Sequence, residues 1–491
     1  MKIHKLASHR TALLALSVVL VWSGVFPQSK REQALDNAVS TTRLLGQVRD
    51  LVRFGPRTGG TKSGDGAAAY VTKRLKEAGY AVQLQTDPKR LAYEVKNWTL
   101  RVDSPVVLKT TIRNAWVGAF SPSVPKTTTA LVYLERPDDA LPDGLKNKSI
   151  LLDAMISEKT YRRLVQSGVR ALVLISPNVD AMYSDWAMIS DLWESSRNAI
   201  PLFNISRNNG RTLKKAISDS TSVVISFSVR SAVDSASPKT VLATLEGETE
   251  QYYLVCAHGD SDSGGPGADD NASGVSAVLE TARVLKTLVK TGRIPIPKYS
   301  IRFAIWGTEM FSTAHYVRQR QNELQNILAV LNVDEVGTGA TRDCIYFESN
   351  DVEHNASLLR TFMSVGDEYA GNKGFWEEST TNPSQGGTDS YVFFPRFLRY
   401  LKVPESKIPS MTIFTGAWNE LKTLPQTLGW RSKSWKGHPD SVTIDYSAYY
   451  HSSLDVPEVT TEKEPHNVVG ATKALGIGLL RLAWEEEERK K

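Results

Sequence analysis

Cysteine is scarce in this chain: only Cys256 and Cys344 occur among 491 residues. Each lies in an apolar run typical of a strand. Two cysteines cannot form the framework of several disulfides that stabilises many small secreted domains. We therefore predict two buried thiols. Internal repeats and low-complexity tracts are also lacking, which argues against repeat architectures.

Positive charge is concentrated at the N-terminus and is otherwise balanced by acid. The net charge is +6, but the first 31 residues contain five lysines and arginines and no acidic residue. The remaining chain is close to neutral, and it has no basic stripe of the kind that nucleic-acid binding requires. We expect no nucleic-acid partner.

Long hydrophobic runs are lacking as well. The apolar run from Thr11 to Phe26 follows basic residues and suits the core of a signal peptide. It is short for a membrane span, which takes roughly 20 residues. No clear cleavage site follows it, so residues 1–31 are predicted to be either a signal peptide or an uncleaved N-terminal anchor. In both cases the folded body lies outside the cytoplasm, and membrane contact is expected only through such an anchor.

The chain as a whole has the composition of a globular protein, with 41% apolar and 23% charged residues, and its length suits two or three domains. Two helices precede a strand between Leu44 and Gln85. Short β-rich runs fill about residues 98–233. From Val241 onward strands alternate with helices, a pattern that predicts an α/β sheet.

One segment carries the strongest chemical signal. The apolar run 252–257 predicts a strand that ends at His258, and a Gly- and Pro-rich loop then leads to Asp269-Asp270. A helix follows, because apolar residues recur at helical spacing: Val275, Val278, Leu279, Ala282 and Leu285. A histidine at a strand end and an aspartate at a helix start can converge on one metal ion, and zinc accepts such mixed ligands.

The segments Ala257–Asp260 (AHGD) and Gly267–Gly274 (GADDNASG) resemble two motifs of the zinc aminopeptidase family. That family also contains glutamate carboxypeptidases, glutaminyl cyclases and the catalytically dead transferrin receptors. The resemblance implies a mixed central sheet flanked by helices. It also implies that His258 is a metal ligand, that Asp270 bridges two metals, and that Asp260 orients His258.

A second motif departs from the family. An apolar strand over residues 300–306 leads to Gly307-Thr308-Glu309-Met310 where relatives have G-x-E-E. The resemblance makes Glu309 the general base and puts Met310 in place of a glutamate ligand. Three alternatives follow: a weakened second metal site, a register change that makes Glu309 the ligand and removes the base, or a dead site. His315 and Glu335 are candidates for a substitute ligand, and the spacing selects neither.

Three further motifs complete the expected site. Asp334 follows the predicted strand 327–333 and matches the third ligand position. His451, in the run YYHSSLD over residues 449–455, matches the last one. Asp389, in the run Gly386–Asp389 (GGTD), is expected to fix a loop beside the metals. Asp455 is expected to hold a turn or the imidazole, and Tyr446, Tyr449 and Tyr450 are candidates to bind an oxyanion.

These motifs define the predicted organisation. The expected domains are a leader (1–31), the N-terminal part of the catalytic domain (35–97), an insertion resembling the protease-associated domain (98–235) and the metallopeptidase domain (240–485). The predicted function is that of a secreted or membrane-attached zinc exopeptidase, an aminopeptidase, with one or two zinc ions and peptide substrates. The alternatives are a degenerate member that binds a partner without catalysis, and an acyltransferase resembling glutaminyl cyclase. Nothing in the sequence predicts an oligomeric state.

Overall fold

The computed structural model describes most of the chain beyond the leader. The described residues are 28–154, 156–177, 182, 199–219, 221–261, 265–339, 343–349, 355–382, 388–403, 408–415, 421–423, 433–434, 436, 441–443 and 449–484. Nearly all of the predicted leader lies outside them. Gly386, Gly387 and Tyr446 also lie outside them.

The described helices and strands follow the alternation that the sequence predicts. The helices are α1 (Lys30–Asp36), α2 (Thr41–Val52), α3 (Lys62–Glu77), α4 (Glu158–Gln166), α5 (Arg207–Ser218), α6 (Gly274–Lys290), α7 (Phe311–Gln319), α8 (Ala356–Tyr369), α9 (Pro395–Tyr400) and α10 (Pro465–Ala483). The strands are β1 (Val82–Thr86), β2 (Arg90–Ser104), β3 (Thr110–Thr111), β4 (Ala115–Val117), β5 (Val124–Tyr133), β6 (Ser149–Leu152), β7 (Ala171–Ile175), β8 (Leu202–Ile205), β9 (Val223–Ala236), β10 (Lys239–Leu245), β11 (Thr249–His258), β12 (Tyr299–Trp306), β13 (Ile327–Val333), β14 (Cys344–Glu348), β15 (Glu378–Asn382), β16 (Ser410–Phe414), β17 (Leu421–Thr423) and β18 (Ser441–Thr443).

The first large sheet is mixed and has the strand order β1-β10-β12-β11-β13-β16-β14-β15. Its central strands β12, β11, β13 and β16 are parallel to one another. The flanking pairs β10–β12 and β14–β16 are antiparallel. The predicted mixed sheet of an α/β fold is therefore confirmed.

Both faces of this sheet are covered, because the central strands are apolar on both sides. Val255 of β11 packs in one core together with residues of α2, α3, α6, α8 and α10. Its neighbours Leu254 and Cys256 point to the other face and pack with α7 and α9. Continuous burial of this kind is typical of parallel strands between helices.

Helix α6 anchors the centre of the first core. The five apolar positions that predicted it are all at most 3% exposed. Its side chains lie against the sheet and against α2, α3 and α10. Because α6 begins at Gly274, directly after the turn Ala268–Ser273 that contains Asp270, this packing fixes one end of the turn that carries that carboxylate.

The second large sheet is formed by residues 90–236 and has the order β3-β2-β9-β5-β6-β7-β8-β4. Helix α5 packs on one of its cores and α4 on the other. The chain enters after β1 and returns to β10, and the two crossings touch, since the backbone N–H of Asp87 donates to the carbonyl of Pro238 at 2.9 Å. Strand β2 runs through the predicted boundary at residues 97 and 98. The division into domains, with a protease-associated insertion, stays a prediction.

Cys256 and Cys344 are both buried and form no disulfide, which confirms the two predicted thiols. Among the described helices, none combines the length and the hydropathy needed to cross a bilayer.

Candidate metal centre

The candidate site lies where the central parallel strands of the first sheet end. His258 is the last residue of β11, Glu309 comes three residues after β12, and Asp334 directly follows β13. Parallel strands in register end at one edge of the sheet, where ligands of α/β proteins gather. The register pairs His258 with Trp306, so the chain segments that follow β11 and β12 start side by side.

The structure brings together all four residues that the sequence predicts as metal ligands. Nε2 of His258 lies 3.1 Å from Oδ1 of Asp270 and 3.3 Å from Oδ1 of Asp334. Nε2 of His451 lies 2.8 Å from Oδ2 of Asp270. Asp270 therefore turns one carboxylate oxygen toward each histidine, as a carboxylate shared between two cation positions would.

Buried hydrogen bonds hold the turn that presents Asp270. The carboxylate of Asp455 accepts the backbone N–H groups of Asp269 and Asp270, at 2.6 and 3.1 Å. Asp269 in turn accepts the N–H of Gly337 and the hydroxyl of Thr338, both at 2.6 Å. Asp455 thus holds a turn, as one of its two expected roles requires. The bracing role of Asp269 was missed, although its position in an acidic pair was a signal.

The electrostatics of these residues suit a bound cation. Burial raises the pKa of Asp270, but hydrogen bonds from His258 and His451 outweigh it and bring the pKa below its usual value. Oδ1 of Asp334 is buried and accepts no hydrogen bond from the described residues. One ligand atom each of His258, Glu309 and Asp334 lies within 4.8 Å of the others. Nitrogen and oxygen donors at such spacing fit zinc.

Asp260 connects the predicted ligand His258 with the predicted base Glu309. Its Oδ1 lies 3.1 Å from Nδ1 of His258 and accepts the backbone N–H of Glu309 at 3.0 Å. Burial is the main cause that raises the pKa of the Glu309 carboxyl well above its usual value. A carboxyl with a raised pKa holds a transferred proton more readily than an exposed one.

Met310 does not turn toward the predicted ligands. Its partly buried side chain packs on the core that contains Cys256 and Trp306. Its backbone has a φ of +51°, and its N–H donates to Oδ1 of Asp389 at 2.8 Å. The hydroxyl of Thr313 donates to the same oxygen. Asp389 therefore fixes the turn that carries Glu309 and Met310, in line with its expected loop-fixing role.

The two candidate substitutes for the lost glutamate lie in different surroundings. His315 interacts electrostatically with Asp87, Arg318 and Arg320, and burial lowers its pKa. Glu335 is only 8% exposed. Burial is the largest cause that raises the pKa of Glu335 well above its usual value, and the negative charges of Asp270, Asp334 and Asp269 raise it further. The charge of His451 lowers it. Of the two, Glu335 is the one beside the predicted ligands.

Tyr450 stacks on the imidazole of His451, with ring centroids 3.5 Å apart and planes 21° from parallel. The backbone carbonyl of Tyr449 accepts the hydroxyl of Ser452 at 2.7 Å. These contacts orient His451, whose φ is +49°. An oxyanion-binding role for the tyrosines stays a prediction.

Arg57 is a component of the site that the sequence did not reveal. It is 1% exposed. Its guanidinium donates to the carbonyls of Gly259, Pro266 and Gly267, at 3.1, 2.8 and 2.8 Å. These carbonyls flank the loop between His258 and Asp270. Burial lowers the pKa of Arg57 to about 10, against the attraction of Asp455, Asp260 and Asp270, so the guanidinium stays charged at neutral pH.

A cavity of about 210 Å³ opens onto these residues. Its described lining includes His258 at the end of β11 and, from loops and turns outside the strands, Asp260, Asp270, Glu309 and His451. Strand β2 and the segment between β4 and β5 contribute Arg90, Leu91, Tyr93 and Phe120. A substrate in this cavity would contact both sheets.

Comparisons with known proteins point to one family. The sequence model described as peptidase family M28 matches residues 240–473. A relative from Mycobacterium tuberculosis, described as a probable lipoprotein aminopeptidase, LpqL, is 24% identical over an alignment of 473 residues that covers 91% of this chain and 86% of that protein.

Solved structures of similar fold extend over almost the whole chain. An M28 peptidase precursor from Shewanella amazonensis matches with a TM-score of 0.65 and 19% identity, covering 93% of this chain and 96% of that one. BSAP, a zinc aminopeptidase from Bacillus subtilis, matches with a TM-score of 0.62 and 18% identity, covering 91% and 96%. These neighbours confirm the predicted fold class.

Proposed function

Because this chain belongs to peptidase family M28, and is thus a metallopeptidase, we propose that it is a zinc-dependent exopeptidase of the aminopeptidase type. The sequence resemblance to zinc aminopeptidases is confirmed by that membership. Peptide substrates follow from the family, while removal of N-terminal residues is our proposal. It is supported by the M. tuberculosis relative, whose name states aminopeptidase activity.

The convergence of His258, Asp270, Asp334 and His451 carries this proposal. His258, Asp270 and Asp334 would hold one zinc ion, and Asp270 with His451 would contribute to a second. Zinc is supported by the B. subtilis neighbour, which is described as a zinc aminopeptidase. Two observations agree with a cation between His258, Asp270 and Asp334. Oδ1 of Asp334 is buried and accepts no hydrogen bond from the described residues. Nε2 of His258 also lies close to a carboxylate oxygen of each aspartate.

The residues around the metal positions suit amide hydrolysis. Bound zinc would supply a water molecule that is acidic near neutral pH and would polarise the scissile carbonyl. The Glu309 carboxylate takes a proton from the attacking water and gives it to the nitrogen of the leaving amine. Asp260 keeps the base and His258 in fixed positions, and Asp389 holds the turn behind them.

The decisive experiment replaces Glu309 by Gln, which keeps size and removes the proton acceptor. We expect Glu309→Gln to lose hydrolysis of leucine p-nitroanilide while zinc content stays at the wild-type value. Glu458→Gln, at an exposed position, serves as the control. Unchanged turnover in Glu309→Gln would refute the assigned role, and wild-type protein inactive on a panel of aminoacyl anilides and dipeptides would refute the function.

The packing of the Met310 side chain favours a second candidate function, that of a family member that binds peptides without cleaving them. The packing of Met310 on the core leaves the family's glutamate position without a carboxylate. Metal analysis separates the candidates: purified protein without bound zinc or another divalent ion supports the binding protein, and one or two ions per chain support the enzyme.

We also propose that the folded body acts outside the cytoplasm. The basic and apolar leader supports this location, and the M. tuberculosis relative is described as a lipoprotein. We further propose that the second sheet, residues 90–236, contains the protease-associated insertion predicted for residues 98–235 and forms one wall of the substrate cavity. Fractionation of cells that express the full chain, with the leader followed by mass spectrometry, tests the location and the fate of residues 1–31.

A further inference from the structure

Arg90 is a cation in the wall of the metal-centre cavity. It is the first residue of β2, directly after the chain crosses from the first sheet to the second. Its side chain lines the same cavity of about 210 Å³ as Glu309, Asp270 and His451. This arginine belongs to none of the motifs that the sequence singles out.

An aromatic contact holds the guanidinium of Arg90 close to the chain segment that follows the proposed base. Its central carbon lies 5.1 Å from the ring centroid of Phe311. Phe311 is two residues after Glu309, and its backbone N–H donates to the carbonyl of Glu309. A cation over an aromatic face is attracted to it, while the edge of a guanidinium stays available for other partners.

In the described part of the chain, no carboxylate pairs with Arg90. Arg481, another half-buried arginine, pairs with Glu32 and Glu368, at 2.8 and 2.6 Å. The guanidinium of Arg90 instead contacts the ring of Phe311 and faces the cavity. A partly desolvated guanidinium that faces a cavity lacks the anion that it binds best, and a ligand can supply it.

We propose that Arg90 binds a carboxylate of the substrate, so that the enzyme prefers peptides with an acidic group close to the scissile bond. This inference rests on the proposed function and specifies its substrate class. The guanidinium fork matches the two oxygens of a carboxylate. The cavity is smaller than the roughly 300–1,000 Å³ of many ligand sites, so the bound anion lies within a short distance of the metal ligands.

The carboxylate has two possible sources, an acidic side chain or the C-terminus of a dipeptide. The first pair of substrates compares glutamyl with glutaminyl p-nitroanilide. The second compares Ala-Ala with Ala-Ala amide, which lacks the terminal carboxylate. In at least one pair, wild-type protein should show the higher kcat/KM for the acidic member.

Three variants separate carboxylate binding from a role in holding the sheets together. For the preferred acidic substrate, Arg90→Gln should lower kcat/KM at least about tenfold, mainly through KM, because hydrogen bonds to charged groups contribute about 1.5–3 kcal/mol. The neutral member of the pair should change little. Arg90→Lys should keep much of the preference. Arg101→Gln, an exposed arginine on the same strand, is the matched control.

Binding measurements keep the test independent of catalysis. The Glu309→Gln chain is titrated calorimetrically with two ligand pairs: Ala-Ala against Ala-Ala amide, and glutamic acid α-amide against glutamine amide. The acidic member of the preferred pair should bind more tightly. This preference should vanish in Glu309→Gln/Arg90→Gln. No preference in either pair, or an equal preference with and without Arg90, would overturn the inference. A wild-type chain that hydrolyses none of the four substrates, yet binds with the Arg90-dependent preference, would overturn the proposed function alone.

Discussion

Asp260 accepts the backbone N–H of Glu309, with 3.0 Å between Oδ1 and the nitrogen. The same oxygen lies 3.1 Å from Nδ1 of His258. One carboxylate oxygen therefore sets both the imidazole of a proposed zinc ligand and the backbone of the proposed base. A change at this position should disturb metal binding and catalysis together, whereas a change at Glu309 should disturb catalysis alone.

Replacing Asp260 tests this linkage. Asp260→Asn keeps an acceptor oxygen but loses the charge that orients the imidazole, so we expect zinc affinity to fall about 10- to 100-fold. The zinc affinity of Asp260→Ala should be lower still, because the backbone N–H of Glu309 also loses its acceptor. Competition with a zinc-binding dye measures the affinity, and Glu309→Gln is the comparison. If both Asp260 variants bind zinc as the wild type does, Asp260 does not position His258.

Replacing Arg57 tests the brace of the metal loop. Arg57→Met leaves three buried carbonyls without their donor, so the free energy of unfolding should drop by about 3 kcal/mol or more. The free energy of unfolding of Arg57→Lys should lie between those of the wild type and Arg57→Met, because an ammonium group cannot reach three carbonyls in the geometry of the guanidinium fork. Urea unfolding measures the loss. The side chain of Arg53 is 75% exposed, so Arg53→Met should change the free energy of unfolding little. Equal effects of the two methionine variants would contradict the bracing role.

Replacing Glu335 tests how much its charge affects a cation at the site. In metal-free protein, Glu335→Gln removes a carboxylate that burial and the neighbouring aspartates disfavour, so the melting temperature should rise. When zinc is bound, Glu335→Gln lacks a negative charge that attracts the ion. The rise in melting temperature caused by zinc should therefore be smaller in Glu335→Gln than in wild type or Glu458→Gln. A zinc effect of wild-type size would show that Glu335 does not interact with the bound ion.

The buried carboxyl of Asp389 predicts a pH dependence of stability. Burial raises its pKa from 3.8 to about 7. Between these values the folded chain keeps a proton that the unfolded chain releases. The free energy of unfolding therefore falls as pH rises, by up to about 1.4 kcal/mol per pH unit. Asp389→Asn lacks this contribution, so its stability relative to wild type should increase between roughly pH 4 and 7 and stay constant above. Urea unfolding after EDTA treatment measures the difference, and parallel profiles would contradict it.

Much of the first sheet could be predicted because its signals are local. The run 327–333 is a strand with those bounds, and all five apolar positions between Val275 and Leu285 are buried in α6. His258 and Asp334 meet because the parallel strands β11 and β13 end at one edge of the sheet, whereas Asp270 and His451 reach this edge from the segment before α6 and from a turn near the C-terminus.

Other features depend on contacts between distant parts of the chain and leave no local pattern. The sequence did not reveal that Arg57 reaches carbonyls about 200 residues away, because a buried arginine and an exposed one look alike in sequence. The direction of Met310 depends on the turn fixed by Asp389, 79 residues further along the chain. That Glu335 rather than His315 lies beside the predicted ligands is likewise a consequence of the fold.

The crossings between the two large sheets have a consequence for the cavity wall that carries Arg90. Arg90, Leu91 and Tyr93 lie on the first residues after the outward crossing, whose strands are joined by the hydrogen bond between Asp87 and Pro238. Phe120 belongs to the same wall and packs on Tyr93, with ring centroids 4.9 Å apart. A second tie lies far along the chain, where the backbone N–H of Ser453 donates to the carbonyl of Met182 at 2.8 Å. With anchors at both places, this wall would keep its distance from the predicted ligands when a peptide enters.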